Sequence, residues 1–166
     1  MALPSGQVRD VRVEGHVDPF RDELQRFIRS FGLLSTDHTP CGQPLPPSHA
    51  HALMVLWRGG ARARPTQQQL GRVLGIDKSN VARLCARMER AGHVRQERSK
   101  ADGRSRLLVL TPHGRRLAAR VETASRRRFE ALFEAIPAPT RRDLVDSLGA
   151  LNRAIASLLR PSEVHS

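Results

Sequence analysis

Side chains that can hydrogen-bond the edges of DNA bases recur within one short stretch of the sequence, at Ser79, Asn80, Arg83 and Arg87. Spacings of three and four residues put Asn80, Arg83 and Arg87 on the same face of a helix. In the major groove, an arginine can make two hydrogen bonds to guanine and an asparagine can make two to adenine. The other face of this helix repeats apolar residues: Val81, Leu84, Cys85 and Met88. The pattern predicts a helix that packs on one side and can contact bases or nearby phosphates on the other.

A basic β-hairpin is predicted directly after this helix. Gly92 ends the helix, two runs that can pair follow at residues 93–98 and 105–110, and Asp102-Gly103 lies at the turn between them. Four basic residues of the hairpin are candidates for contacts with the DNA backbone or the minor groove: Arg98, Lys100, Arg104 and Arg106. A helix that can enter the major groove, followed by a basic hairpin, is typical of a winged helix-turn-helix.

The positive charge of the chain is concentrated in the same region. The sequence holds 28 Lys and Arg against 16 Asp and Glu, a formal charge of +12. Residues 77–128 contain 15 of the basic and 5 of the acidic residues, so this window alone carries +10. Clustered cations favour a polyanionic partner, because binding releases the counterions that surround phosphates. A bias of genome composition would explain why arginine is preferred over lysine, but it would not explain the clustering.

Several other classes of protein do not fit the sequence. There is no glycine-rich phosphate loop, nucleophile elbow or convincing acid–base pair, so we expect neither an enzyme nor a bound cofactor. No apolar run is long enough for a signal peptide or a membrane span, and the two cysteines do not make a disulfide framework. We therefore expect a protein of the bacterial or archaeal cytoplasm, associated with the nucleoid and with no membrane partner.

Helical periodicity organises the rest of the chain. We expect a flexible arm at residues 1–17, a helical dimerisation region at residues 18–46 and 112–166, and the winged helix-turn-helix domain at residues 47–111. Asp18 is predicted to cap the first helix, and Thr140 the last one. Both helices repeat apolar residues at alternating spacings of four and three: Phe20, Leu24, Phe27, Phe31 and Leu34, and Leu144, Leu148, Leu151, Ile155 and Leu158. Such stripes favour a two-fold dimer, with packing inside one chain as the alternative.

Three further helix starts can be read from the sequence. Ser48 can cap a second helix, on which Leu53, Met54 and Trp57 are predicted to face inward. Thr66 and Gln69 form a capping box at the start of a third helix. Thr111-Pro112 begins the long helix that follows the hairpin. The predicted fold is therefore mostly α-helical, with a small β-hairpin wing.

Two segments resemble the MarR (multiple antibiotic resistance regulator) family of transcription factors. They are residues 65–94, PTQQQLGRVLGIDKSNVARLCARMERAGHV, and residues 99–114, SKADGRSRLLVLTPHG. The most specific feature is Asp102-x-Arg104 followed by Leu110-Thr111-x-x-Gly114. The resemblance implies that Asp102 orients the wing arginines and that Arg104 reaches the minor groove. Gln96 and Gly103 depart from the family pattern, which commonly has arginine at both positions.

The resemblance also implies a homodimer that binds roughly palindromic double-stranded operators and usually represses transcription. A small organic effector is expected to bind in a pocket lined by residues of the first, second and fifth helices. Its binding is expected to make the protein release the DNA. Candidates for that pocket are Phe27, Phe31, His51, Met54 and Trp57. A metal-responsive or thiol-responsive regulator of the same fold is the alternative, with candidates His38, Cys41, His49 and His51, although their spacing matches no strong zinc pattern. A nonspecific architectural DNA-binding protein is a further alternative.

Overall fold

The computed structural model describes residues 11–60, 64–99 and 105–158, with side chains from residue 15 onward. Six α-helices, one 3-10 turn and two strands follow one another along these ranges. Their bounds are α1 Val11–Phe31, α2 Pro47–Arg58, α3 Gln67–Leu74, α4 Lys78–Arg90, β1 Val94–Arg98, β2 Arg106–Leu110, α5 Pro112–Ala135, the 3-10 turn Ala138–Thr140 and α6 Arg141–Leu158. The chain divides into two compact units, one ending at Ala124 and the other beginning at Ser125. The predicted fold class, mostly helical with a small hairpin, is confirmed.

The core of the first unit lies where α2, α3 and α4 meet the hairpin. Its largest fully buried side chains come from these elements: Leu53, Leu70, Leu84, Cys85, Met88 and Leu108. The predicted apolar stripe of α4 is confirmed, since all four of its members are buried. Because this stripe is fixed in the core, the opposite face of α4 must point to solvent.

The helix-turn-helix owes its tight turn to local hydrogen bonds. The predicted capping box is present, since the Gln69 amide N–H donates to Thr66 Oγ1 (3.2 Å) and the Thr66 amide N–H donates to Gln69 Oε1 (2.8 Å). Gly75 ends α3 in the left-handed conformation, with φ of +66°, which glycine adopts without a steric penalty. Asp77, which the sequence reading did not single out, then caps α4.

The hairpin pairs in one antiparallel register, from Val94 opposite Leu110 to Arg98 opposite Arg106. A third segment of backbone joins it, because the Leu108 amide N–H donates to the Pro65 carbonyl at 2.8 Å and Thr66 bridges Leu107. The start of α3 is therefore tied to strand β2 of the wing, a connection that the sequence pattern did not predict.

The beginning of α5 explains the Thr-x-x-Gly motif in physical terms. Thr111 Oγ1 accepts from the Gly114 amide N–H (3.0 Å) and donates to the Gly92 carbonyl (2.6 Å). A Cβ atom at Gly114 would lie 1.9 Å from the carbonyl oxygen of His93, so the close approach of α5 requires glycine. The predicted start of this helix at Thr111-Pro112 is confirmed.

Three histidine rings contact one another in series where α2, the start of β1 and the start of α5 meet. His49 Nε2 lies 3.0 Å from His93 Nδ1, and the ring of His93 stacks on His113 with centroids 5.0 Å apart. Burial lowers the pKa of His49 to about 4, and His93 and Arg87 act in the same direction. Burial also lowers the pKa of His93, together with His113 and Arg120. His49 and His93 are therefore neutral near pH 7.

The predicted start of α1 at Asp18 is wrong, since the helix begins at Val11 and includes part of the expected arm. Pro19 lies inside the helix instead of in its first turn. Its missing N–H leaves the carbonyl of Gly15 without the usual helical donor, which is tolerated because Gly15 is exposed to solvent. Asp18 pairs with Arg21 at 3.2 Å and does not cap the helix.

The predicted cap of α2 is also wrong. The helix begins at Pro47, its N-cap is Pro46, and no side chain caps its free N–H groups. A proline in the first turn supplies the helical φ without needing a hydrogen-bond partner, so the helix starts one residue before Ser48 can act as a cap.

The second unit contains the end of α5, the 3-10 turn and α6. Arg141 donates from Nε to the Ile136 carbonyl (2.9 Å) and lies over the ring of Phe133. Thr140 Oγ1 donates to the Pro137 carbonyl (2.9 Å), so this hydroxyl closes the 3-10 turn, a role different from the predicted helix cap. Within the described ranges, no helix is both long and apolar enough to cross a membrane.

Candidate nucleic-acid interface

One face of α4 presents a cluster of cationic and amide side chains to solvent. Asn80, Arg83, Arg87 and Arg90 are all exposed and, with Ala86, line one shallow groove along the helix. The structure therefore brings together three of the four recognition residues predicted for this helix. The major groove of DNA admits an α-helix, and cations spaced along that helix can contact phosphates and guanine edges there.

The first turn of α4 is held by the Asp77 carboxylate. Asp77 Oδ1 accepts from the Asn80 amide N–H (2.8 Å) and from Ser79 Oγ (2.7 Å), and its Oδ2 accepts from Asn80 Nδ2. The backbone hydrogen bond from Asn80 is the main cause that lowers the pKa of Asp77 to about 2, followed by the Ser79 hydroxyl. Ser79, the fourth predicted contact residue, therefore uses its hydroxyl hydrogen within the protein.

The hydrogen-bond chain continues to the first arginine of the helix. Asn80 Oδ1 accepts from Arg83 Nη2 at 2.9 Å. The side chains of Asp77, Asn80 and Arg83 thus form a relay along the exposed face of α4.

The thiol of α4 is unsuited to chemistry. Cys85 is buried, and burial raises the pKa of its thiol to about 11, with a further contribution from the charge of Glu89. A thiol that stays protonated near pH 7 is a weak nucleophile and a weak metal ligand. The structure places Cys85 in the core, as the apolar stripe indicates.

The wing contributes two of the predicted arginines within the described residues. Arg98 and Arg106 stand opposite each other at the distal end of the paired strands, and both are exposed. The other three predicted wing residues, Lys100, Asp102 and Arg104, lie outside the described residues.

Strand β1 of the wing is held by an ion-pair network that the sequence pattern did not predict. Glu97 Oε2 accepts from Arg64 Nη1 at 2.8 Å, and Glu97 Oε1 accepts from Arg95 Nη2 at 2.6 Å. Gln96, one of the departures from the family pattern, donates to Glu89 at 3.0 Å and accepts from Gln67 at 3.4 Å. A shorter amide at this position thus links β1 to both helices of the helix-turn-helix.

The predicted effector-pocket residues occupy different surroundings within the first unit. Phe27 and Phe31 stack on each other with centroids 5.2 Å apart. Met54 packs partly buried against the core, and His51 is exposed. Trp57 is 37% exposed, so the expectation that it faces inward is wrong. The ring lies at the C-terminal end of α2, where the buried residues of that helix stop at Leu56.

The histidine and cysteine candidates for a metal are not brought together. His49 is engaged with His93, and Cys41 Sγ lies 3.1 Å from Thr39 Oγ1. His38 and His51 are exposed. In the part of the chain that the structure describes, no group of three His, Cys, Asp or Glu side chains could hold a metal ion.

Residues 43–105 match the family model of the MarR family, which covers α2, α3, α4 and β1. The resemblance drawn from the sequence is thereby confirmed over residues 43–105. No curated protein matches the chain.

Solved structures share the fold over most of the chain. The PcaV transcriptional regulator of Streptomyces coelicolor, in complex with its natural ligand, is 24% identical; the match covers 89% of this chain and 99% of that one, with a TM-score of 0.61. Bordetella bronchiseptica BpsR, whose DNA binding is regulated by 6-hydroxynicotinic acid, is 20% identical, with 90% and 98% covered and a TM-score of 0.61. Streptococcus pneumoniae FabT, in complex with DNA, is 17% identical, with 89% and 97% covered and a TM-score of 0.61.

Proposed function

We propose that this protein is a dimeric, sequence-specific DNA-binding regulator of transcription, because residues 43–105 match the MarR family model. It represses its target and is released by a small organic ligand. The observation that carries the proposal is the exposed face of α4, where Asn80, Arg83, Arg87 and Arg90 share one groove beside a basic hairpin. FabT, which has the same fold, was solved in complex with DNA.

The reading of DNA is divided between the helix and the wing. Arg83 and Arg87 contact guanine edges or phosphates in the major groove, and Arg98 and Arg106 contact the backbone beside it. Lys100 and Arg104, which belong to the same basic hairpin in the sequence, add to the wing contacts, with Asp102 orienting them. Contacts from the wing contribute mainly affinity and salt dependence, while those from α4 contribute sequence preference.

A second copy of the chain covers apolar surface that a single copy leaves exposed. No described side chain of α1 or α6 is buried. The exposed apolar side chains of the two helices include Val17, Phe20, Phe27, Leu144, Val145, Leu148, Ile155 and Leu158. Apolar stripes of this kind favour association, and a two-fold dimer holds two α4 helices at the spacing of successive major grooves, about 34 Å.

The dimer is tested by one substitution in α6. Leu148→Asp places a charge on the exposed apolar stripe, and Ser147→Asp places the same charge at the neighbouring exposed polar position. We expect Leu148→Asp to sediment as a monomer at micromolar concentration while Ser147→Asp stays dimeric. A wild-type protein that sediments as a monomer, or a Leu148→Asp variant that stays dimeric, contradicts this arrangement.

DNA binding is tested with the DNA that flanks the protein's own gene. We expect the purified protein to keep this duplex shifted under an excess of random DNA, because specific binding exceeds nonspecific binding by roughly 10³-fold or more. A small aromatic acid is expected to release it, since BpsR responds to 6-hydroxynicotinic acid. Equal loss to random competitor would instead identify an architectural protein, which the charge of +12 alone could support.

A further inference from the structure

Asn80 is held at both ends of its carboxamide group. Its Nδ2 donates to Asp77 Oδ2, and its Oδ1 accepts from Arg83 Nη2 at 2.9 Å. The amide is therefore oriented by a donor on one side and an acceptor on the other. A contact with adenine would use the same two atoms, Nδ2 as donor and Oδ1 as acceptor.

The Asp77 end of this chain of hydrogen bonds is fixed to the backbone. Asp77 caps α4 by accepting from the Asn80 amide N–H at 2.8 Å, so its carboxylate cannot rotate without breaking the cap. The oxygen that faces Nδ2 of Asn80 is consequently set by the fold of the turn, and it sets the orientation of the Asn80 amide.

The hydrogen-bond chain ends at Arg83, which is exposed and which makes the proposed contact with DNA. A guanidinium has five N–H donors in a rigid plane, and the bond to Asn80 uses one on Nη2. The remaining donors keep the fork geometry that matches the two acceptors of guanine. Holding the plane in place before binding lowers the rotamer entropy that an arginine loses when it contacts DNA.

We propose that Asn80 is a positioning residue that fixes the guanidinium of Arg83 for guanine, through a relay that begins at Asp77. The inference rests on the proposed function and deepens it, because it assigns the base preference of this turn of α4 to Arg83 alone. Direct reading of adenine by Asn80 is the competing account, and it places a second, separate base preference in each half-site.

The experiment starts from duplexes that the purified wild-type protein enriches from a random-sequence library. Binding of the enriched duplex and of all its single-base variants is measured by fluorescence anisotropy for wild type, Asn80→Ala, Arg83→Ala, the double variant and Asp77→Asn. Asparagine caps a helix as well as aspartate does, so Asp77→Asn keeps the cap. Its NH2 group, however, then faces the Nδ2 donor of Asn80, so the hydrogen bond between the two side chains is lost.

The relay makes a specific set of results expected. Replacing the guanine read by Arg83 should weaken wild-type binding by roughly ten- to one-hundred-fold. The same base change should cost only a few-fold in Asn80→Ala and in Asp77→Asn. The double variant should bind within about twofold of Arg83→Ala, because the two side chains act as one unit. Asp77→Asn should bind random DNA as tightly as wild type or more tightly, since it removes a negative charge near phosphates.

The controls separate the relay from the charge and from the proposed function. Asp37→Asn removes the same charge from an exposed position in the loop before α2, and it should keep the wild-type base preference. The relay is refuted if Asn80→Ala relaxes the preference at a different base pair, or if its effect on binding adds fully to that of Arg83→Ala. Either result leaves the proposed function as a regulator intact. If wild type enriches no sequence at all, the proposed function fails and the relay fails with it.

Discussion

Acid should weaken the fold through His49, and the variant His49→Gln should remove that sensitivity. His49 is 7% exposed, and its only described polar partner is another histidine, His93, at 3.0 Å. Burial, then His93 and Arg87, lowers the pKa of His49 from 6.5 to about 4. A proton on His49 in the folded protein would place a buried cation against His93 without a counter-charge.

The sign and the size follow from linkage. Between pH 6.5 and about 4 the unfolded chain binds a proton at His49 and the folded chain does not, so the free energy of unfolding falls as the pH falls. The difference in pKa corresponds to roughly 3 kcal/mol once both forms are protonated, and to about 2 kcal/mol at pH 5. Above pH 6.5 the contribution is constant. The lowered pKa of His93 acts in the same direction.

The assay is urea unfolding at pH 8 and at pH 5, at one fixed protein concentration because association affects apparent stability. Wild type should lose about 2 kcal/mol more than His49→Gln between the two pH values. His51→Gln removes an exposed histidine from the same helix and should keep the wild-type loss. If His49→Gln and wild type lose the same stability, His49 is not the group that senses acid and the argument from its burial is refuted.

Two further predictions concern the first unit, which ends at Ala124. Gly114→Ala puts a Cβ atom 1.9 Å from the His93 carbonyl oxygen and should lower the free energy of unfolding, measured by urea titration, by roughly 1–3 kcal/mol. A Cβ atom at Gly15 meets nothing within 4 Å, so Gly15→Ala should be neutral or stabilising in the same titrations. Equal effects of the two substitutions would contradict the close packing at Gly114. A thiol reagent at pH 7 should label Cys41 of the native protein well before Cys85, because burial raises the pKa of Cys85 to about 11; rapid native labelling of a Cys41→Ser variant would contradict this.

Local patterns predicted the parts of the fold that local physics determines. The apolar stripe of α4 and the capping box of Thr66 and Gln69 involve residues three or four positions apart, where spacing alone fixes which side chains meet. The Thr111 cap is likewise confirmed. The exposed face of α4 followed from its buried face, so Asn80, Arg83 and Arg87 lie on the exposed face that the spacing predicts.

Contacts between distant parts of the chain could not be read in the same way. Nothing in the neighbourhood of His49 indicates that it meets His93, 44 residues later, nor that Pro65 pairs with the hairpin. Periodicity also overstated the inward face of α2, since Trp57 is 37% exposed although it continues the apolar pattern of Leu53 and Met54. A stripe shows which residues share a face, while the width of the covering element decides how many of them are buried.

His93 connects several elements of the first unit. This explains why the contacts of one histidine can affect the fold of the whole unit. Its amide N–H donates to the Met88 carbonyl at the end of α4, and its carbonyl accepts from the Thr111 amide N–H and contacts Gly114 at the start of α5. Its ring meets His49 of α2. A shift of the first turn of α5 must therefore move the start of β1 and the last turn of α4 with it. The orientation of the exposed face of α4 thus depends on the packing around one histidine and one glycine as well as on its own sequence.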